Sequence, residues 1–157
     1  MQQDLVFPEA VDLAPPVQKP ALKAPWHLFL IGAAAVFWSG LGVFDFLATL
    51  TRFPPYIDSL PEGARALWTS LPPFVFGIWA LSVFSALTGS VLLLKRRLLA
   101  LRVLAVSTTA TIVTMALTYS RPGIDPGSER VFAVCIIVVS LLILNYAFDQ
   151  ARRGILR

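Results

Sequence analysis

Residues 26–52 read WHLFLIGAAAVFWSGLGVFDFLATLTR. From Trp26 to Leu50 this run holds one acid, Asp45, and neither Lys nor Arg. About 20 apolar residues cross a bilayer as a helix, so the run is long enough to span. In hydrocarbon the backbone N–H and C=O groups find no water, and helix formation satisfies them internally. Three further apolar stretches follow, at about Phe74–Leu94, Leu98–Tyr119 and Val131–Phe148. The composition agrees. Of 157 residues, 57% are hydrophobic and only 14% are charged, against roughly 25% charged in soluble domains. The expected fold is all-α: an antiparallel bundle of four transmembrane helices in residues 26–150.

The twelve prolines punctuate this reading, because none falls inside a span. Pro72 and Pro73 stand at the start of the second, where a helix needs no N–H donor. Unbroken helices are therefore expected, unlike the Gly/Pro-broken helices of many transporters. The turn Lys95-Arg96-Arg97 is short enough to make spans two and three antiparallel neighbours.

Lys and Arg counts set the expected orientation. Lys19, Lys23, Lys95, Arg96, Arg97, Arg102, Arg152, Arg153 and Arg157 fall on one side; Arg52, Arg65, Arg121 and Arg130 fall on the other. The richer side is expected to be cytoplasmic, which puts both termini on the cytoplasmic face. These basic residues flank spans, so anionic lipid accounts for them and no nucleic acid is implied. Residues 1–25 contain Asp4, Glu9, Asp12 and five prolines but no compact apolar region. They read as a disordered tail rather than a cleavable signal, and residues 151–157 as a short basic tail. Trp26, His27 and Tyr146 mark the inner interface, and Tyr56, Trp68 and Tyr119 the outer one.

The first outer loop carries its own pattern. Ser59-Leu60-Pro61-Glu62 matches a capping box. Leu60, Ala64, Leu67, Trp68 and Leu71 then recur at helical spacing, which predicts a short amphipathic surface helix. The last outer loop holds Pro122-Gly123 and Pro126-Gly127, two turn signals.

Two polar series stand out within the spans. Trp38, Gly42, Asp45, Thr49 and Arg52 are spaced 4, 3, 4 and 3 along the first, so they share a helix face. Asp45 is the only acid inside a span, and an intramembrane ionisable group points to function by default. The alternative is an interfacial ion pair of Asp45 with Arg52 or Arg121. The third span carries Ser107, Thr111, Thr114 and Thr118 at spacings 4, 3 and 4. These hydroxyls either bond back to their own helix or form a polar seam reaching the depth of Asp45. In the second span Ser82, Ala86 and Ser90, with Ser85 and Gly89 beside them, read as helix-packing positions.

Catalytic and cofactor readings find no support. One histidine and one cysteine exclude a bis-histidine haem, a disulfide within the chain and a multi-thiolate metal site. No phosphate or dinucleotide motif occurs, and no cofactor or metal is expected.

Trp26-His27, Trp38, Gly42, Asp45, Thr51-Arg52, Tyr56, Pro73, Trp79 and Gly89 together resemble small four-span bacterial inner-membrane proteins often labelled sugar transporters. The layout also resembles that of DoxX-type proteins. The resemblance covers about Trp26 to Arg157 and implies no catalytic residues. The expected function is a non-catalytic accessory or structural subunit, partnered by the bilayer and by other membrane chains. The alternative is an oligomeric permease for a small polar solute, lined by Asp45, Thr49, Arg52, Thr111, Thr114, Thr118 and Arg121. Where Asp45 points separates the two.

Overall fold

The computed structural model describes residues 25–120 and 127–157. Among them are six helices: α1 (Trp26–Leu50), α2 (Pro54–Ile57), α3 (Glu62–Thr69), α4 (Pro73–Leu94), α5 (Leu99–Tyr119) and α6 (Gly127–Arg152). No strand occurs among the described residues. Four of the helices, α1, α4, α5 and α6, are long and apolar enough to cross a membrane. The shortest, α5, has 21 residues, which at 1.5 Å per residue is about 31 Å, the thickness of a hydrocarbon core. Phe37 is 70% exposed and Leu142 62% exposed, the arrangement of a protein whose outer surface is solvated by lipid rather than water. The chain is a multi-pass membrane protein with an all-α four-helix bundle.

The helices pack in chain order, α1 on α4, α4 on α5 and α5 on α6. The fourth side, between α6 and α1, has no packing of comparable extent. There the two helices are tied at the end where α1 begins and α6 finishes, where His27 Nδ1 and Tyr146 Oη share a hydrogen bond of 2.7 Å. That end, which also holds Lys95, Arg96, Arg97, Arg152 and Arg153, is called the basic end below; the other is the far end.

The basic end is solid. Leu28, Leu93, Ala100, Leu104 and Ala147 form an apolar cluster with Ile155 and Leu156, the residues just past α6. Residues 155–157, within the short basic tail 151–157, are fastened down. Leu98 N–H donates to the Arg157 carbonyl at 2.7 Å, and Arg157 N–H donates to the Arg96 carbonyl at 2.8 Å. The turn that allows this is a Schellman closure: Ile155 N–H reaches the Gln150 carbonyl over Gly154, whose φ is +70°. Two glycines bring the helices together here. A Cβ on Gly89 of α4 would lie 2.7 Å from Leu104 Cγ of α5, and one on Gly32 of α1 would lie 2.4 Å from Leu94 Cδ2 of α4. Gly89 is among the packing positions expected from the small residues of α4; Gly32 is a second such position, on α1.

At the far end α1 finishes in the same kind of closure. Arg52 takes φ 51°, and Phe53 N–H donates to the Ala48 carbonyl at 2.9 Å. Pro54 then starts α2 and Pro73 starts α4, as the proline positions imply. The capping box does not form. Pro61 occupies the N-cap of α3, which puts Glu62 one residue into the helix rather than three. Ser59 Oγ instead donates to the Tyr56 carbonyl at 2.6 Å, closing α2. The amphipathic stripe is as expected, with Ala64, Leu67 and Leu71 buried. Trp68 sits over Trp79 of α4, ring centroids 4.9 Å apart.

Candidate functional site

Between the sealed basic end and the α2–α3 loop the bundle is hollow. A cavity of about 360 Å³ is walled by all four spanning helices, with Tyr56 and Trp68 of the loop at its far end. α1 contributes Trp38, Ser39, Gly42 and Asp45; α4 contributes Trp79, Ser82, Ala86 and Ser90. α5 contributes Leu104, Ser107, Thr108, Thr111, Thr114 and Met115, and α6 closes the wall with Phe132, Ile136, Ser140 and Ile143. Leu104 belongs also to the apolar cluster of the basic end, so the cavity is blind on that side.

The polar groups of the wall are ordered by depth. Nearest the basic end, Ser39 and Ser90 hydroxyls meet at 3.2 Å, joining α1 to α4. Further along, Ser82 and Thr111 hydroxyls meet at 2.7 Å, and Ser107 Oγ donates to the Ser82 carbonyl at 2.9 Å, joining α4 to α5. Thr114 comes next. It is 1% exposed and lines the cavity, yet its hydroxyl has no hydrogen-bond partner. At the far end Tyr56 donates its phenol hydrogen to Asp45 Oδ1. A buried hydroxyl without a partner forgoes about 1–3 kcal/mol unless something in the cavity meets it.

The sequence-derived residues distribute unevenly over this geometry. Trp38, Gly42 and Asp45 do share a face, and that face lines the cavity. Thr49 is buried beyond it. Arg52 does not continue the stripe: α1 ends at Leu50, and Arg52 leaves the helical phase and is exposed. No ion pair joins it to Asp45, and the ion pairs among the described residues are Arg65–Asp58 and Arg153–Asp149. Arg121 lies outside the described residues. Ser107, Thr111, Thr114 and Thr118 are all buried, and the first three line the cavity, with Thr118 past its end. Of the expected packing residues, Ser82, Ala86 and Ser90 are cavity wall. Ser85 is turned back onto its own helix, donating to the Leu81 carbonyl.

Several wall residues lie outside the sequence reading of a site: Tyr56 and Trp68 read there as interfacial aromatics, and Ser39, Thr108 and Ser140 belong to neither polar series. Ser39 had a signal. Leu28, Gly32, Ala35 and Ser39 recur at spacings 4, 3 and 4, and all four are buried. Tyr56 had none, because it reaches Asp45 through the fold of the loop.

Comparison with known proteins brings no relative to this site: no family model matches the sequence, and no curated protein or solved structure matches it.

Proposed function

We propose that this protein binds a small solute within its bundle and acts as a permease-type carrier rather than as a purely structural subunit. One observation carries the reading: Asp45, the acid of the spans, lines a cavity instead of pairing with Arg52 at the surface. Ligand sites are concave, mostly apolar and supplied with a few convergent polar groups, and ionisable groups within spans face such cavities. The basic end faces the cytoplasm of a bacterial inner membrane in this reading, by the positive-inside rule, and the far end faces outward. The gap between α1 and α6 gives a solute a lateral way in.

A carrier site must be reached from each side in turn. With the native Cys135 changed to Ser, a cysteine placed at Ser82 should react with a membrane-impermeant thiol reagent from both faces of oriented vesicles. Reaction from the far side alone would leave a binding protein that does not transport. A cysteine that stays unreactive from either side until the protein is denatured would overturn the carrier reading.

A second reading, an accessory subunit of a larger assembly, draws on α6. Only 11% of its span is buried, and Asn145 exposes its amide on the uncovered face. An amide in lipid is favoured when another helix offers it a hydrogen bond. Cys135 lies on the same helix and is exposed, so mild oxidation of the native protein in membranes should give a disulfide-linked dimer if two copies of α6 pair.

A further inference from the structure

The chemistry of the wall says more than that something small binds. Among the described residues the cavity wall holds one carboxylate and no Lys, Arg or His, and three of the chain's four tryptophans line it together with Tyr56. We infer that its ligand is a hydrophobic organic cation, an amine or quaternary ammonium, seated between Trp38 and Asp45. This rests on the small-solute reading above and names the solute class.

Each part of the wall has a place in such a site. Trp38 and Asp45 are two helical turns apart, about 10–11 Å along the axis. A cationic centre midway is then about 5 Å along the axis from either level, a span short enough for one small ammonium to lie between the two side chains. The residue between them on the same face is Gly42, which has no side chain to occupy that position. A Cβ there would meet only Val83 Cγ1 at 3.7 Å, so the seat is open. Trp38 is half-buried, lines the cavity and has no aromatic ring stacked on it among the described residues. Trp79, by contrast, is covered by Trp68 and by the edge of Phe46 at 5.2 Å, and serves as support.

Electrostatics selects the sign. A carboxylate in a low-dielectric wall is costly unless a charge partner meets it, and Tyr56 supplies only a neutral hydrogen bond to one of its oxygens. A cation removes that cost with the carboxylate ionised; beside a neutral solute the group must take up a proton instead, and an anion adds repulsion. The apolar floor and α6 wall, Leu104, Ile136, Ile143 and Phe132, suit hydrocarbon substituents. Thr114, nine-tenths buried and more, offers its unpartnered hydroxyl to a polar group on the ligand. The ligand is thus apolar over most of its surface, singly positive, and able to enter from the bilayer between α1 and α6.

The test uses the full chain in nanodiscs and its own fluorescence, because Trp38, Trp68 and Trp79 line the site while Trp26 is 75% exposed at the basic end. Three probes of one shape are titrated: benzyltrimethylammonium, its neutral carbon analogue neopentylbenzene, and the anion benzylsulfonate. Free concentrations are corrected with empty nanodiscs. Benzyltrimethylammonium should change the emission saturably, with the neutral analogue at least ten-fold weaker and the anion without effect. Asp45→Asn should weaken the cation at least ten-fold and leave neopentylbenzene unchanged, and Trp38→Leu should weaken the cation several-fold. Equal binding of the neutral analogue, or cation binding indifferent to Asp45→Asn, would overturn the cation assignment while leaving a solute site in place. No saturable change with any probe also overturns it, and the labelling of a cysteine at Ser82 then decides whether the carrier reading falls with it. If Asp45→Asn does not fold, the three-probe comparison on the unaltered chain decides alone.

Discussion

At the basic end Gly32 and Gly89 let α4 close on α1 and α5, and the chain's last residues fold over the junction. Half a bundle away the same helices stand around a cavity, although Gly42 there is no larger than Gly89. The difference lies in what faces each glycine. Leu104 fills the space opposite Gly89, with its Cγ 2.7 Å from the position a Cβ would take. Nothing of comparable reach fills the space opposite Gly42, where hydroxyls, an acid and aromatic rings form the wall. A small residue closes a helix pair when a large apolar side chain complements it, and opens a seat when none does.

The largest effect should come from unfastening the solid end. Leu156 is 4% exposed in the apolar cluster and lies beyond the spanning part of α6, so losing its contacts also exposes the cluster to water. Leu156→Ala should cost about 2–5 kcal/mol, read as a lower thermal unfolding midpoint in mild detergent. A change below 1 kcal/mol would mean that the C-terminal clasp does not hold this end.

The two glycines test the contrast directly. Gly89→Ala pushes a methyl into Leu104, whose backbone nitrogen is also near, at 3.2 Å. Overpacking of this sort costs about 1–3 kcal/mol. Gly42→Ala meets only ordinary contact and gains helix propensity of up to about 1 kcal/mol, so it should be neutral or slightly stabilising. Equal destabilisation by both would show that the far half closes up in the membrane.

How much of this was readable beforehand follows from the same contrast. The spans were legible because apolar length and proline placement are local properties: α1 begins and ends at the expected Trp26 and Leu50, and Pro73 opens α4. The face shared by Trp38, Gly42 and Asp45 was legible too, because helical period fixes which residues lie together. Which way that face turns was not. Period gives the stripe but not its azimuth in the bundle, so a surface ion pair and a cavity wall looked alike. The partner of Asp45 was hidden for a further reason. Tyr56 is eleven residues on, and its position depends on α1 stopping at an arginine with positive φ. The failed capping box is a lesson in competition: Ser59 had a nearer carbonyl to serve, and Pro61 took the cap.

A smaller effect separates the joined hydroxyls from their surroundings. Ser82 and Thr111 hold α4 to α5 across the wall, and Thr111 Oγ1 also reaches the Ser107 carbonyl at 2.9 Å. Hydrogen bonds within membrane proteins average about 0.6 kcal/mol. Thr111→Val should therefore lower stability by about that amount, and adding Ser82→Ala should lower it little further, since both changes remove one shared bond. Fully additive losses would show that the Ser82 hydroxyl has a partner other than Thr111.

The smallest effect is expected at Thr114, one turn toward the far end on the same helix face. Its hydroxyl is buried, borders the cavity and has no partner. Thr114→Val keeps the branched shape and exchanges that hydroxyl for a methyl. A dry cavity without ligand gives the hydroxyl nothing to lose, and removing a buried polar group without a partner is neutral or stabilising by up to about 1 kcal/mol. The purified protein should therefore unfold at the same temperature or slightly higher, in contrast with Thr111→Val measured alongside. Destabilisation equal to that of Thr111→Val would mean that the hydroxyl is already satisfied, by water held in the hollow half. The contrast between the two ends would then be one of solid against wet, and a ligand entering the seat beside Asp45 would first have to displace that water.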